Sequence, residues 1–304
     1  MSESDIQLVV VGSVGIDTIE TPEERREEIL GGSASYACAA ASFFTKVGMV
    51  GVVGTDFPEA YRQVYRHFQI DLDGLQTVDG KTFRWSGIYE ANMDNRHTVS
   101  TELNVFASFM PNLPEAYRKS PFLFLGNISP QLQLHVLGQI EKPRFVVIDT
   151  MDLWIDIARP DLLKVIQRTD MITINEFEAR HLSGHKNLLK AAQILLCLGP
   201  RFVLVKKGEN GSALFCKDSI FLLPAFPLDG VIDPTGAGDV FAGGVVGSLA
   251  AGGEVSEKSI RQAMIYGSIV ASFGVEAFSL ERLQMLTRGE IDTRADALRR
   301  MLQL

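Results

Sequence analysis

The sequence predicts an α/β fold in which helices cover both faces of a doubly wound, mainly parallel sheet, with a small β-sheet lid added. Short runs of Val, Ile, Leu and Phe recur along the 304 residues and alternate with helix-length stretches. Such nearly continuous apolar runs are typical of parallel strands that are buried on both faces. No repeat or linker rich in Pro, Gly and Ser divides the chain, so we predict a single domain over residues 1–304.

The alternation of strand and helix defines this α/β core. The predicted strands are Ile6–Val11, Val50–Val53, Phe122–Leu125, Phe145–Ile148, Met171–Ile174 and Phe202–Val205. The predicted helices are Ser35–Phe44, Glu59–Phe68, Leu132–Ile140, Asp161–Arg168, Asn187–Leu198, Ser259–Phe273 and Leu280–Leu286.

Two segments depart from the alternation and predict the lid. Thr18–Leu30 is polar and precedes a glycine pair, and the later segment contains two extended pieces, Phe83–Ala91 and Arg96–Phe106. The turn-like residues 92–95 join these two pieces. Because a hairpin inserted into an α/β chain often lies outside the main sheet, we assign the lid to about residues 16–30 and 81–106.

Composition excludes several classes of protein. The formal net charge is −8, which disfavours nucleic acid as a partner because phosphate backbones require a basic surface. No apolar run approaches the ~20 residues that a membrane helix needs. The N-terminus is acidic, unlike a secretory signal, so we expect a cytoplasmic protein. Cys38, Cys197 and Cys216 are widely spaced and are expected to be reduced thiols.

The stretch Asp233–Gly244, which reads DPTGAGDVFAGG, carries the strongest chemical signal. It follows an apolar pair and leads into a small-residue run that is compatible with a helix. Glycines let the backbone turn tightly against a ligand, and the first N–H groups of a helix form a site for anions. Asp239 lies in the first turn, where its carboxylate is placed to accept a proton from an attacking hydroxyl. The pattern therefore predicts phosphoryl transfer with Asp239 as the base.

Other enzyme signatures do not occur in the sequence. It contains no G-x-x-x-x-G-K-[ST], which excludes a P-loop kinase, and no G-x-S-x-G or H-E-x-x-H. The five histidines do not show the spacing of a metal site.

With these residues in view, the chain resembles the ribokinase-like (PfkB) family of carbohydrate and nucleoside kinases. Asp233–Val246 matches the family signature, and the resemblance extends over essentially the whole chain. It implies that Asp239 is the catalytic base and that the Gly236-Ala237-Gly238 backbone is the anion hole.

On the substrate side, the resemblance implies that Asp17 binds substrate hydroxyls and that Gly31, Gly32 and Ser33 allow a sugar to approach closely. Tyr36 stands where the family usually has Asn. The tyrosine is suited either to stacking on a ring or narrowing the pocket, or to packing in the core.

On the nucleotide side, the resemblance implies ATP and Mg²⁺ as cofactors and leaves a monovalent cation open. Asn175 and Glu178 match the family's Asn-x-x-Glu motif, with Glu178 holding Mg²⁺ through water. The same two residues would also suit a helix cap. The other implied nucleotide-binding residues are Lys206, Gly208, Gly211, Thr235 and Gly238.

The leading hypothesis is thus a kinase that phosphorylates a hydroxyl of a small sugar by direct in-line transfer. A nucleoside kinase of the same family is the alternative, and a non-catalytic ligand-binding protein on the kinase fold is a lesser one. The resemblance also suggests a homodimer formed through the lid. The apolar lid residues that suit either this contact or packing over substrate are Phe83, Trp85, Ile88 and Tyr89.

Overall fold

The computed structural model describes residues 6–93 and 96–303, and within these ranges the strands form two separate sheets. In chain order the strands are β1 (Leu8–Val11), β2 (Gly15–Glu20), β3 (Arg25–Gly31), β4 (Val47–Gly54), β5 (Asp71–Val78), β6 (Phe83–Tyr89), β7 (Arg96–Glu102), β8 (Phe122–Leu125), β9 (Phe145–Asp149), β10 (Met171–Asn175), β11 (Phe202–Lys206), β12 (Ser212–Phe215) and β13 (Ile220–Leu223). The central sheet has the order β13-β12-β11-β10-β9-β8-β1-β4-β5, and the second sheet has the order β3-β2-β6-β7.

The central sheet is parallel from β5 to β11 and ends in the antiparallel strands β12 and β13. All residues of β1, β4, β8 and β9 are buried. Buried hydrophobic side chains form one large cluster on each face of this sheet, because alternate residues of a strand point to opposite faces. The doubly wound, mainly parallel α/β core that the sequence predicts is therefore confirmed.

Helices cover both faces. In chain order they are α1 (Ser33–Ser42), α2 (Glu59–His67), α3 (Glu115–Arg118), α4 (Pro130–Leu137), α5 (Asp152–Ile157), α6 (Arg159–Ile166), α7 (Glu176–Ser183), α8 (Leu188–Cys197), α9 (Ala237–Gly252), α10 (Glu257–Gly274), α11 (Glu281–Gln284) and α12 (Arg288–Met301). One face carries α1, α2, α9, α10 and α12, and the other carries α4 to α8. Within the described residues, no helix combines the length and the hydropathy needed to cross a bilayer.

Some elements differ from the sequence-based prediction. The helix expected at Leu280–Leu286 is limited to α11, and the strand expected to reach Phe106 ends at Glu102, where the chain turns into a 3₁₀ helix at Asn104–Ser108. The sequence did not predict β5 or α12, because β5 is a half-exposed edge strand and α12 is mostly charged. Of the predicted turn at 92–95, residues 94 and 95 lie outside the described residues.

The second sheet is built from the two segments assigned to a lid. β2 pairs with β3 and β6, and β6 pairs with β7, so both segments contribute strands to one sheet. Ile19 and Tyr89 from this sheet pack on Phe278 of the main body. Every residue of β7 is exposed.

Helix α9 packs on its neighbours through glycines. A Cβ at Gly243 would lie 2.3 Å from the carbonyl oxygen of Ala37, and one at Gly247 would lie 2.6 Å from Cα of Ala41, both in α1. On another side of the helix, a Cβ at Gly244 would lie 2.9 Å from Cα of Gly267 in α10. Because the backbones are in direct contact, the position of α9 and of its N-terminus is fixed by close packing.

Candidate active site

The N-terminus of α9 forms a site for an anion. Gly236 is the N-cap residue and has φ 74°, a left-handed conformation that glycine adopts without strain. The N–H of Ala237 already donates to the carbonyl of Pro234 at 3.1 Å. Among the described residues, the N–H groups of Gly238 and Asp239 have no protein acceptor, so they are the donors that this turn leaves for a ligand.

Tyr36 forms the wall behind this turn. A Cβ at Gly236 would lie 2.4 Å from the tyrosine ring, so the ring packs directly against the glycine. The side chain is buried, and its hydroxyl oxygen has no hydrogen-bond partner among the described residues. Burial and the nearby Asp17 raise the pKa of Tyr36 well above its ordinary value, so its hydroxyl remains neutral. Tyr36 thus packs in the core, and its hydroxyl group lies near buried carboxylates without a hydrogen bond.

An ion pair between Lys206 and Asp149 lies beside the anion site. Lys206 Nζ is 2.6 Å from Asp149 Oδ2, and the two side chains are 17% and 4% exposed. Lys206 Nζ would also lie 3.2 Å from a Cβ at Gly238. Both residues end strands at the carboxyl edge of the central sheet, where ligands collect in open α/β sheets.

These charges shift the pKa of Asp239. Burial raises the pKa of Asp239 and Asp149 raises it further, whereas Lys206 and Arg96 lower it. A carboxylate whose pKa is raised toward neutrality is a more effective proton acceptor than an ordinary aspartate. Asp239 is therefore a candidate base whose pKa is set by two opposing sets of neighbours.

Asn175 and Glu178 form a capping box at the start of α7. Asn175 Oδ1 accepts from the N–H of Glu178 at 2.8 Å, and Glu178 Oε2 accepts from the N–H of Asn175 at 2.9 Å. The helix-cap interpretation of the Asn-x-x-Glu spacing is therefore realised. Burial and the carboxylates of Asp149 and Asp152 raise the pKa of Glu178 to about 7, although Lys206 opposes them.

The residues around Glu178 fit a magnesium ion that is held mainly by phosphate and water. Within the described residues, no group of three or more His, Cys, Asp or Glu side chains is arranged to hold a metal. Mg²⁺ commonly keeps several waters and uses only one or two carboxylates, so a lone Glu178 is sufficient. Burial is the main cause of the raised pKa of Glu178, and a cation bound beside it would favour the charged form of this carboxyl.

Asp17 in β2 is a second buried carboxylate. Its Oδ1 has no partner among the described residues. Burial raises its pKa to about 8, with Asp233 and Asp239 adding to the effect and Arg96 opposing it. A Cβ at Gly31 would lie 1.9 Å from Asp17 Oδ2, so the glycine leaves the space that this carboxylate occupies. A buried acceptor without a partner is costly, and a ligand hydroxyl would satisfy it.

The residues after Gly31 connect the two sheets. Gly32 has φ 96° and is the N-cap residue of α1, and a Cβ there would lie 2.4 Å from the carbonyl oxygen of Ser13. The hydroxyl of Ser33 accepts from the N–H of Ser13 at 3.1 Å, and the N–H of Ser33 donates to the hydroxyl of Ser13 at 3.0 Å. In this structure Ser33 therefore ties α1 to the end of β1, and contact with a substrate remains a prediction for it.

The second sheet is in direct contact with the site. Thr235, next to the anion site, donates its hydroxyl hydrogen to Tyr89 of β6 at 3.0 Å. Tyr89 and Arg96 are cross-strand partners and are hydrogen-bonded. Arg96 also lies over the ring of Trp85, 5.5 Å from its centroid, and acts on the carboxylates of both Asp17 and Asp239. A cation carried by the second sheet thus favours the charged form of both carboxylates.

A cavity of about 540 Å³ opens beside the anion site. This volume lies within the range of small-molecule sites. Lys206, Gly208, Gly211, Ala237 and Gly238 line it, and the rest of its wall is mostly apolar. Asn175, Glu178 and Thr235 do not line it. Asn175 is the β10 partner of Lys206, Glu178 lies in the first turn of α7, and Thr235 faces the second sheet.

Three residues of the site were missed in the sequence: Asp149, Tyr89 as a contact to Thr235, and Arg96. Asp149 directly follows the predicted strand Phe145–Ile148 at the edge where ligands bind, and that position was an available signal. Arg96 and Tyr89 become relevant only through the pairing of β6 with β7, which the sequence alone does not reveal.

Comparisons with known proteins agree with this geometry. The family model described as pfkB family carbohydrate kinase matches residues 5–281. A cytidine kinase from Thermococcus kodakarensis is 33% identical over 260 residues, covering 83% of this chain and 91% of that protein. A ribokinase from Haemophilus influenzae is 27% identical over 289 residues, covering 88% of this chain and 92% of its own length. The solved structure of ribokinase from Giardia lamblia has the same fold, with a TM-score of 0.81, 20% identity, and coverage of 98% of this chain and all of that one.

Proposed function

We propose that this chain, which belongs to the pfkB family of carbohydrate kinases, phosphorylates a hydroxyl of a small sugar held between Asp17 and Asp239. Family membership makes the protein an ATP-dependent kinase that acts on an alcohol group. The observation that supports the acceptor site best is the unpartnered Oδ1 of buried Asp17, which lies in the same group of interacting charges as Asp239.

The proposed reaction is direct transfer from ATP to the acceptor oxygen. The triphosphate would lie along the cavity with its γ-phosphate at the N–H groups of Gly238 and Asp239. Asp239 takes the proton of the acceptor hydroxyl as that oxygen forms its bond to phosphorus and the bond to the bridging oxygen of ADP breaks. Lys206 and the backbone donors stabilise the charge on the transferred group.

Magnesium, when bound, would supply positive charge on the phosphates, and Glu178 is the residue proposed to hold it through water. Asn175 fixes Glu178 through the capping box. A requirement for a monovalent cation is not assigned to any residue of this site.

A nucleoside acceptor is the second candidate, and one observation favours it: the cytidine kinase from Thermococcus kodakarensis is 33% identical to this chain. Tyr36, which stands where the family usually has Asn, does not add to it. The Tyr36 ring already packs on Gly236, so it narrows the acceptor side rather than offering a free stacking face.

The test is ADP release by purified protein with ATP, Mg²⁺ and a panel of acceptors: ribose, fructose, cytidine, inosine and adenosine. Turnover of a free sugar supports the first candidate, and turnover of nucleosides alone supports the second. Asp239→Asn should lower kcat by ~100-fold or more with any accepted substrate. The matched control is Asp292→Asn, an exposed carboxylate paired with Arg288, which should leave kcat unchanged. A folded protein that binds acceptors but never turns over would instead indicate a binding protein.

The second sheet is proposed to act as a lid that excludes water during transfer. It is also proposed to form a homodimer contact. Of the four apolar residues suggested for this contact, Tyr89 packs inside the protein, the Phe83 ring makes a tilted contact with Phe106, and the half-buried Trp85 ring lies against Arg96. Ile88 is the exposed one of the four, and Val99 on β7 is exposed as well. Ile88→Lys should convert a dimer to a monomer in sedimentation analysis if this face is the interface. ATP as the donor and three unpaired thiols suit action in the cytoplasm.

A further inference from the structure

The end of the cavity away from the anion site is a slot between two walls from distant parts of the chain. One wall is the segment 225–228, which lies between β13 and α9 and has no regular secondary structure. The other wall is α10, which contributes Ser268, Ala271 and Ser272, together with its C-cap residue Val275. A slot with mostly apolar walls suits a flat aromatic base, and here it would hold the base of the nucleotide.

Arg294 in α12 connects these two walls. Its guanidinium carbon lies 5.0 Å from the ring centroid of Phe226 in the first wall and 3.4 Å from that of Phe273 in α10. Its Nη1 donates to the hydroxyl of Ser272 at 3.0 Å, and Nη2 is 2.8 Å from Oε1 of Glu276. Phe226 and Ser272 both line the cavity, one from each wall.

We propose that Arg294 is a positioning residue for the nucleotide base, because it sets the width of the slot by holding Phe226 and Ser272 at fixed separation. The segment that carries Phe226 has no regular secondary structure, and the guanidinium of Arg294 lies against its ring. Ser272 donates its hydroxyl hydrogen to the carbonyl of Ile269 at 2.7 Å and accepts from Arg294, which fixes its rotamer. Planar guanidinium groups stack on aromatic rings and donate hydrogen bonds in one rigid geometry, which a lysine does not reproduce.

Arg282 provides a matched control. It also stacks on Phe273, 4.7 Å from the centroid, and also pairs with Glu276, at 3.2 Å. The side chains of Arg282 and Arg294 are 21% and 19% exposed. Arg282 differs in that its other ion pair is with Glu290 on α12, and neither its ion pairs nor its ring contact involves a residue that lines the cavity.

The experiment compares Arg294→Met with Arg282→Met by calorimetric titration with two ligands, Mg-ADP and inorganic tripolyphosphate. The inference rests on the proposed function, because it assumes that the cavity binds ATP. We expect Arg294→Met to weaken ADP binding about tenfold and to leave tripolyphosphate binding within twofold of the wild type. Arg282→Met should leave both affinities within twofold. In turnover, KM for ATP should rise in Arg294→Met, whereas kcat and KM for the acceptor should change little.

Equal losses of ADP affinity in the two variants would overturn the assignment, because they would show a general effect of removing a buried arginine. Equal weakening of ADP and tripolyphosphate would overturn it as well, since the defect would then lie at the phosphates. If Arg294→Met does not fold, Arg294→Lys tests the same point, with weaker ADP binding expected and wild-type affinity refuting it. A wild-type protein that binds no ADP would overturn both this inference and the proposed donor, whereas normal ADP binding in Arg294→Met would overturn this inference alone.

Discussion

Replacing Lys206 by Met should lower the stability of the protein far more than replacing a surface lysine does. It should also raise the pKa of Asp239. The ammonium of Lys206 lies 2.6 Å from a carboxylate oxygen of Asp149, and both side chains are largely shielded from water. Removing the ammonium leaves Asp149 without its cation at a position where only 4% of the side chain is exposed. Asp149 must then either remain charged in an apolar setting or take up a proton.

The magnitude follows from this geometry. At an effective dielectric constant of ~20, two unit charges at this separation attract by about 6 kcal/mol, and the desolvation of both groups offsets much of that. Removing one partner of a buried pair typically costs about 3–5 kcal/mol. Because Asp149 can relieve part of the cost by protonation, we expect about 3 kcal/mol. That loss corresponds to a Tm lower by roughly 5 °C for a protein of this size.

The assay is thermal and urea unfolding of Lys206→Met beside Lys164→Met. Lys164 makes a comparable pair with Asp161 at 2.7 Å, but the lysine side chain is 64% exposed, so its removal should cost less than about 1 kcal/mol. The double variant Lys206→Met/Asp149→Asn should recover part of the lost stability, since it no longer buries an unpaired charge. A loss in Lys206→Met no larger than that in Lys164→Met would refute the reasoning.

The same variant should shift the pH dependence of activity. Lys206 lowers the pKa of Asp239, so its removal should raise that pKa and move the acidic limb of kcat/KM to higher pH. The double variant should not recover kcat, because it still lacks the cation beside the anion site. An acidic limb at the wild-type position would show that Lys206 does not act on the base.

Three further predictions concern the carboxylates and the glycine beside one of them. The folded-state pKa of Asp17 is about 8, above its unfolded value, so folding favours its neutral form; the stability this provides is full below about pH 4 and is lost as pH rises through about 8. Asp17→Asn should therefore raise Tm at pH 8.5 and change it little at pH 4, while KM for the acceptor rises by ~100-fold; a lower Tm at pH 8.5 would contradict the burial argument. Glu178 has a pKa of about 7, so the Mg²⁺ concentration for half-maximal rate should rise as pH falls from 8 to 6, and Glu178→Gln should show a high requirement at every pH; a parallel rise in the variant would assign the effect to another group. Gly31→Ala would place a carbon 1.9 Å from Asp17 Oδ2, so KM for the acceptor should rise at least tenfold with KM for ATP unchanged. A rise in KM for ATP alone would show that Asp17 does not lie on the acceptor side of the site.

The chemical centre could be predicted because it is local in sequence. Gly236, Gly238 and Asp239 lie within four consecutive residues at the start of one helix, so the spacing alone specifies an anion site with a carboxylate beside it. The strands were predictable for the same reason, since each buried parallel strand is a continuous apolar run.

The surroundings of that centre could not be predicted, because they depend on pairing between distant segments. Asp149 acts on Asp239 only because β9 lies close to β11, with β10 between them, which brings Asp149 to Lys206. Arg96 acts on Asp17 only through the second sheet, where β2 pairs with β6 and β6 with β7. The spacing of Asn175 and Glu178 predicts either a helix cap or a magnesium site. The structure contains the cap, and this does not exclude a second role of Glu178 in holding magnesium.

The direct backbone contact of α9 with α1 and α10 has a consequence for laboratory evolution of this protein. Every amino-acid substitution of a glycine introduces a Cβ, and at Gly243, Gly244 and Gly247 that atom would meet backbone at 2.3 to 2.9 Å. Random libraries should therefore lose nearly all variants at these three codons before any selection for activity is applied. If the acceptor binds as proposed, variants with a new acceptor preference should come instead from Tyr36 and from strands of the second sheet, where side chains rather than backbones would meet the substrate.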